Sequence, residues 1–373
     1  MHDAPKRILY YSEGWGFGGI ERFIMNTVAQ LNPAQYRFDI FCTHDWSDAY
    51  DDTISRLGGR RYVVFKGHKP NLVKRLFASI SVWKRLLRKN HYDVVHINIM
   101  NGVGFIYAHL ARKAGIPVRI VHSHNTAFGS GHWHIKQAAH ELGVKLYSDA
   151  STCNLACSED AGYFLFGDKS FQVINNGVDV ETFGFDQTIR HDVRNELGVN
   201  DRTIVFGSIG RISEAKNPLF QLQILNQLVG LDVDAKLVLI GEGDDADQVE
   251  EAMGRLHLRD HVFRLGSTSE PARYLDAMDV FTLPSKFEGY PMTLVEAVAN
   301  GLPCLVSDSV NLGEGELPDT WFLPITSTSL WVSYLQQAAP KGQERHTGGQ
   351  QIVKQLGYDS ATMVRHLEKC YRA

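Results

Sequence analysis

The chain has 373 residues, 44% of them hydrophobic, 10% aromatic and 21% charged. That length suggests two domains with sizeable cores, and the composition excludes disordered, fibrous and disulfide-scaffold classes. Lys plus Arg is 38 against 42 Asp plus Glu, and a net charge of −4 argues against a dedicated nucleic-acid binder.

Short β-rich runs alternate with helix-length amphipathic segments. ILYYSE (8–13), FDIFCTH (38–44), YVVFKG (62–67), DVVHIN (93–98), VRIVHSH (118–124), NLACSE (154–159) and FQVIN (171–175) read as strands. Segments 20–31, 71–89, 103–114 and 132–147 read as helices between them. Such alternation with apolar strands predicts a parallel sheet covered on both faces. The polar stretch 176–202 reads as a linker. A second series follows: TIVFGSIG (203–210), KLVLIGEG (236–243), HVFRLG (261–266), DVFTLPS (279–285) and CLVSDS (304–309), with a last helical period over 360–373. The fold class is therefore α/β, two doubly wound parallel sheets in tandem. Charge divides with them. Residues 1–185 hold 21 basic and 16 acidic side chains (+5), and residues 186–373 hold 17 and 26 (−9).

The five cysteines, Cys42, Cys153, Cys157, Cys304 and Cys370, are odd in number and scattered. Cys153 and Cys157 have no second pair at zinc-site spacing, so the chain reads as a reduced, cytoplasmic protein. The amino end shows no signal-peptide pattern, and no run approaches the ~18 apolar residues of a membrane span.

Ligands of open parallel sheets bind at the carboxyl ends of the strands, so the chemistry is sought there, and two such sheets facing each other would form a cleft. After the first strand comes GWGFGGIER (14–22), where Gly14, Gly16 and Gly19 match G-x-G-x-x-G. Glycines let a backbone approach phosphates, and a helix start favours anions. A dinucleotide site also wants an acid at the end of the second strand, which here ends at Thr43 and His44 with Asp45 beyond. After the fifth strand, HSHNT (122–126) puts His122 and His124 on one strand face, fit for base, hydrogen-bond donor or metal-ligand work. No further ligands stand at a metal-site spacing. After TIVFGSIG, GRISEAKN (210–217) places Arg211 and Lys216 at a strand–helix junction, a diphosphate clamp. After DVFTLPS, PSKFEGYPMTLVEA (284–297) holds Glu288 and Glu296 eight residues apart across a turn into a helix. Pro291 suits the first helical turn, and the amides of Met292 and Thr293 could then hold a phosphate. Asp232 and Asp234 form a D-x-D, but they precede a strand and so sit at the wrong end of the sheet for a metal site.

The chain resembles the retaining GT-B glycosyltransferases, in particular family 4. GGIER (18–22), HSHN (122–125), NNGVD (175–179), GRISEAKN (210–217), LIGEGD (239–244) and FEGYPMTLVEA (287–297) occur in family order, the last as E-x7-E from Glu288 to Glu296. HSHN within VHSHNT looks like members that build capsular, exopolysaccharide or O-antigen chains. The resemblance implies two Rossmann-like domains facing a cleft: residues 1–182, on the acceptor side and joined by the helix 355–373, and residues 183–354, binding the donor. Hinges near 180 and 350 would allow closure. It implies a nucleotide-diphosphate sugar donor, UDP favoured, with Arg211 and Lys216 on the diphosphate and Gly18 and Gly19 approaching it. Glu288 would lie near the transferred sugar, Glu296 on the ribose, and the base near Leu265 and Gly266. His122, with His124 second, would stand near the reacting carbon. No metal and no other cofactor is expected. Transfer would retain configuration through an ion-pair-like step, the departing diphosphate itself being able to take the acceptor proton.

Residues 71–89 carry Lys74, Arg75, Lys84, Arg85, Arg88 and Lys89 beside Leu72, Val73, Leu76, Phe77, Ile80, Trp83 and Leu87. That pattern suits either a helix packed on its sheet or a peripheral contact with anionic lipid on the inner membrane face. The latter fits a lipid-linked saccharide acceptor, and the loop 126–133 is placed to help bind it. Competing readings are a sugar-nucleotide epimerase of the same fold and a dinucleotide oxidoreductase resting on Gly14, Gly16 and Gly19.

Overall fold

The first sheet takes seven strands, β1 (Lys6–Ser12), β2 (Tyr36–His44), β3 (Arg61–Phe65), β4 (Val94–Ile99), β5 (Val118–Ser123), β6 (Cys153–Ala156) and β7 (Gln172–Val173). Their order is β3-β2-β1-β4-β5-β6-β7 and every pairing is parallel. The computed structural model describes residues 4–128, 133–288, 291–310 and 317–372. Strand β1 shows why its sequence is continuously apolar or aromatic from Ile8 to Tyr11: Ile8 and Tyr10 enter one core and Leu9 and Tyr11 the other, so both faces are covered.

The second sheet comprises β8 (Ile204–Ile209), β9 (Ala235–Ile240), β10 (Val262–Leu265), β11 (Val280–Leu283), β12 (Cys304–Ser307) and β13 (Thr320–Leu323), in the order β10-β9-β8-β11-β12-β13, again parallel. Edge strand β13 escaped the sequence reading because TWFL is short and of its four residues Leu323 alone is buried. Contacts divide the chain into two units, Met1–Gly177 with Ser360–Ala373, and Val178–Asp359.

The last helix, Ser360–Arg372, belongs to the first unit. Its Met363, Val364, Leu367 and Tyr371 lie in the same core as Ile8 and Tyr10. The Tyr371 hydroxyl bonds that of Tyr10 at 2.9 Å, and Lys6 Nζ donates to the Tyr371 carbonyl at 2.9 Å. All five cysteines are free, with Cys153 Sγ 3.4 Å from Cys370 Sγ.

The stretch 176–202 is not merely a linker, because it contains the helix Gln187–Glu196, capped by the Asp186 carboxylate. Its inward face is Arg190, Val193 and Arg194, which is why an apolar period is missing. Both guanidiniums cover carbonyls that end the helix Pro271–Ala277 and pair with fully buried Asp279, at 2.5 Å from Arg190 and 3.2 Å from Arg194. Asp279 also accepts the Val205 amide at 2.8 Å, fixing the start of β8. Asp279→Ala leaves two guanidiniums buried without their carboxylate, and should lower the unfolding free energy by about 3–5 kcal/mol, read as a lower urea midpoint.

Candidate active site

In the second unit, four strand ends converge. Gly210 follows β8, and its amide donates to the Ile240 carbonyl at 2.9 Å; Ile212 donates to Glu242 at 3.0 Å. Gly241 donates to Leu265 at 3.0 Å, joining the turn after β9 to the end of β10. Gly241 sits at φ +130°, and a Cβ there would collide with the Gly210 carbonyl, so this turn accepts only glycine. The loop after β11 is tied in by Lys286, whose amide donates to Ala215 at 2.8 Å, and by Asn217, whose side chain donates to the Pro284 carbonyl at 3.2 Å. Parallel strands thus present Arg211, Lys216, Leu265, Gly266 and Glu288 at one edge of one sheet.

The charges at that edge differ in their engagement. Arg211 is exposed and has no carboxylate partner among the described residues. Lys216 Nζ lies 2.6 Å from Glu288 Oε1, and the fully buried Ser285 hydroxyl donates to the same oxygen at 2.5 Å. The sequence reading gave Lys216 and Glu288 separate tasks; the fold places them in contact. Ser285 was missed because a serine before a turn carries no charge signal.

Pro291 serves as the cap preceding the helix Met292–Ala299 rather than its first residue, its carbonyl accepting the Leu294 amide at 2.9 Å. The amides of Met292 and Thr293 have no acceptor among the described residues, as a helix start open to an anion requires. Glu296 is fully buried in the middle of that helix. Gly289 and Tyr290 of the FEGYP segment lie outside the described residues.

In the first unit, Gly18 caps the helix Gly19–Gln30 without a side-chain bond, and a Cβ on Gly19 would meet nothing within 4 Å. The other glycines of the turn have a packing reason. A Cβ on Gly16 would stand 2.5 Å from Trp46 Nε1, and one on Gly14 3.2 Å from the same ring. Asp45, the nearest acid to the end of β2, is buried and paired with Arg61 at 2.8 Å, so it is not a free ribose ligand for a dinucleotide. Asp234 stands before β9, at the amino end of the sheet, accepting the Thr203 hydroxyl at 2.7 Å. Among the described residues no three His, Cys, Asp or Glu side chains gather as a metal site.

His122 and His124 do share a face, their rings 4.2 Å apart with Phe23 edge-on to His122 at 4.9 Å. Their exposure differs. His122 is fully buried, whereas His124, past the end of β5, is partly open to solvent. His124 Nε2 bonds Asn98 Oδ1 at 2.9 Å. Behind them lies a chain the sequence reading missed: His122 Nδ1 to His96 Nε2 at 3.2 Å, and His96 Nδ1 to the Tyr371 hydroxyl at 2.9 Å. Of the loop 126–133, residues 129–132 lie outside the described residues.

Two models of known families cover most of this ground. One described as Glycosyltransferase Family 4 matches residues 17–182, and one described as Glycosyl transferases group 1 matches residues 189–315. The sequence is 31% identical to EpsF of Bacillus subtilis (strain 168), named as a glycosyltransferase, over 100% of this chain and 97% of that one. The chain belongs to the group 1 and family 4 glycosyltransferases. This glycosyltransferase is also 28% identical, over 78% of its length and 76% of the relative's, to an Escherichia coli UDP-Gal:alpha-D-GlcNAc-diphosphoundecaprenol alpha-1,3-galactosyltransferase. Its fold is GT-B. The crystal structure of Anabaena Alr3699/HepE with UDP and glucose is similar with a TM-score of 0.78 at 18% identity over 98% of both chains. That of WaaG, a glycosyltransferase involved in lipopolysaccharide biosynthesis, gives 0.70 at 13% identity over 97% and 95%.

Burial dictates the charge state of the histidines. Loss of solvation holds His96 and His124 down to about 3, and His122 well below its ordinary 6.5. The unfolded chain therefore binds more protons than the fold between roughly pH 6.5 and 3. Stability should be full above that window and fall as pH drops through it. The unfolding free energy followed against pH should show this slope, shallower by about one proton in His124→Asn.

Proposed function

We propose that this glycosyltransferase moves a hexosyl unit, with retention, from a UDP-sugar to a glycan or lipid-linked saccharide in cell-surface polysaccharide synthesis. The carrying observation is one sheet edge bearing Arg211, Lys216 and a helix start whose Met292 and Thr293 amides have no described acceptor. These groups suit a nucleoside diphosphate, whose charge grows as the sugar departs, and they are fixed before the reaction begins. The base rests at Leu265 and Gly266; on the first unit Gly19 leaves open backbone, whereas Gly18 faces the Glu21 carboxylate. UDP as carrier and a diphospholipid-linked acceptor are supported by the name of the Escherichia coli galactosyltransferase and by the UDP held in Alr3699/HepE.

Glu288 is the carboxylate offered to the transferred sugar. Glu296 takes the ribose once binding uncovers it. On the first unit, His124 is the member of the histidine pair open to a substrate, and His122 stands behind it. Neutral imidazoles hydrogen-bond to sugar hydroxyls without adding positive charge. The departing diphosphate oxygen takes the acceptor proton, so no step needs a metal or a covalent nucleophile. Removal of a charged hydrogen-bond partner costs ~1.5–3 kcal/mol. Lys216→Ala and Arg211→Ala should therefore each weaken UDP binding by roughly 10- to 150-fold in calorimetric titration. Unchanged affinity in both removes the donor site from this edge.

The helix Leu72–Lys89 supports peripheral attachment to anionic lipid. Its Arg75, Ser79, Trp83, Leu86 and Leu87 are buried, and Arg75 is committed to Glu13 at 2.7 Å, so it is withdrawn from the lipid-facing set. Leu72, Val73 and Phe77 stand 52%, 65% and 70% exposed, beside exposed Lys66, Lys69 and Lys74. Apolar side chains ringed by cations suit an anionic bilayer surface. No helix among the described residues is long and apolar enough to cross a membrane. Phosphatidylglycerol vesicles should sediment the protein and phosphatidylcholine vesicles should not. Val73→Asp with Phe77→Asp should abolish sedimentation at an unchanged thermal midpoint, and equal binding to both lipids overturns the assignment.

A further inference from the structure

The donor edge contains its own competitor for phosphate. Lys216 Nζ is 2.6 Å from Glu288 Oε1, within a site where the lysine side chain is 26% exposed and the glutamate only 9%. An ammonium has three N–H donors, and the one held by that carboxylate is withheld from a diphosphate. Arg211, by contrast, meets no carboxylate among the described residues. The same Glu288 oxygen accepts from Ser285, whose hydroxyl is fully buried at the end of β11 and cannot leave with a ligand.

We propose that Glu288 stands in for the donor phosphate on Lys216, and that donor binding exchanges the two, leaving Glu288 in the hold of Ser285. This rests on the donor-site reading above. The exchange is a switch of partners with no bond made or broken covalently. A diphosphate carries more charge than a carboxylate and draws the ammonium away. Glu288 then loses its cation while most of its surface stays out of water. A buried carboxylate without a donor is costly, so the Ser285 hydroxyl keeps it in place. Its remaining lone pairs can then accept hydroxyls of the sugar that arrived with the diphosphate. Ser285 is thus a positioning residue, acting through Glu288. Lys216 also becomes a reporter, because its carboxylate is released only when a phosphate is present to replace it.

The consequence runs against the usual effect of damaging a site. Glu288→Gln removes the competitor and should bind UDP more tightly than the native protein, by roughly 2- to 5-fold, the range of a partly exposed ion pair. Inorganic pyrophosphate, which carries no base or sugar, should show the same gain. Both gains should vanish in the Lys216→Ala background, where there is no ammonium to release. Ser285→Ala should weaken UDP, because the vacated Glu288 then has no donor, and Ser285→Thr should restore it. In the Glu288→Gln background Ser285→Ala should change little, which a loss of general packing would not reproduce. The experiment is calorimetric titration of these variants with UDP and with pyrophosphate, each variant checked for an unaltered thermal midpoint. Weakened binding in Lys216→Ala with unchanged or weaker binding in Glu288→Gln overturns the exchange and leaves the donor site standing. Native affinity in Ser285→Ala overturns the role of Ser285. Native affinity in Lys216→Ala alone overturns the exchange, and native affinity in both Lys216→Ala and Arg211→Ala overturns the donor-site reading itself.

Discussion

Every strand pairing in both sheets is parallel, and most of the structure follows from that constraint. A parallel strand cannot turn straight back into its neighbour, so each return crosses a face as helix or long loop and buries it. The loops at the carboxyl ends are relieved of any duty to the core and can carry charge. Arg211, Lys216 and Glu288 occupy such loops, as does His124 in the first unit. The amino ends serve stability instead. Asp279, immediately before β11, gathers Arg190, Arg194 and the Val205 amide.

This division explains what could be read from sequence and what could not. Apolar strands separated by helices announced the two sheets, because a doubly covered strand leaves a run that no other element imitates. Arg211, Lys216 and Glu288 stood out because each follows a strand closely. The helix Gln187–Glu196 was hidden, since arginines form its buried face and an apolar period is what betrays a helix. His96 was passed over because it sits inside DVVHIN, where a histidine looks like any core residue. Only the strand register brings it to His122, and only the return of the last helix brings Tyr371 to His96. Contacts over such separations leave no local trace.

The glycine turn shows a signal that is real while its first meaning is not. Gly14 and Gly16 are small because the Trp46 ring lies against them, and Asp45 is occupied by Arg61. Only Gly19 opens onto empty space. A spacing shared by dinucleotide sites thus arises here from one tryptophan packing on a turn.

The return of the helix Ser360–Arg372 also governs how the chain is made. The first unit is broken in sequence, and Met363, Leu367 and Tyr371 complete its core. The second unit, Val178–Asp359, is continuous. A chain leaving the ribosome therefore exposes the first sheet early but leaves one of its faces without that helix until residues 360–372 have been made. The middle of the protein folds before its beginning is finished. A chain cut before Ser360 yields a sound second unit attached to an apolar face without its covering helix, a species for chaperones and proteases to find.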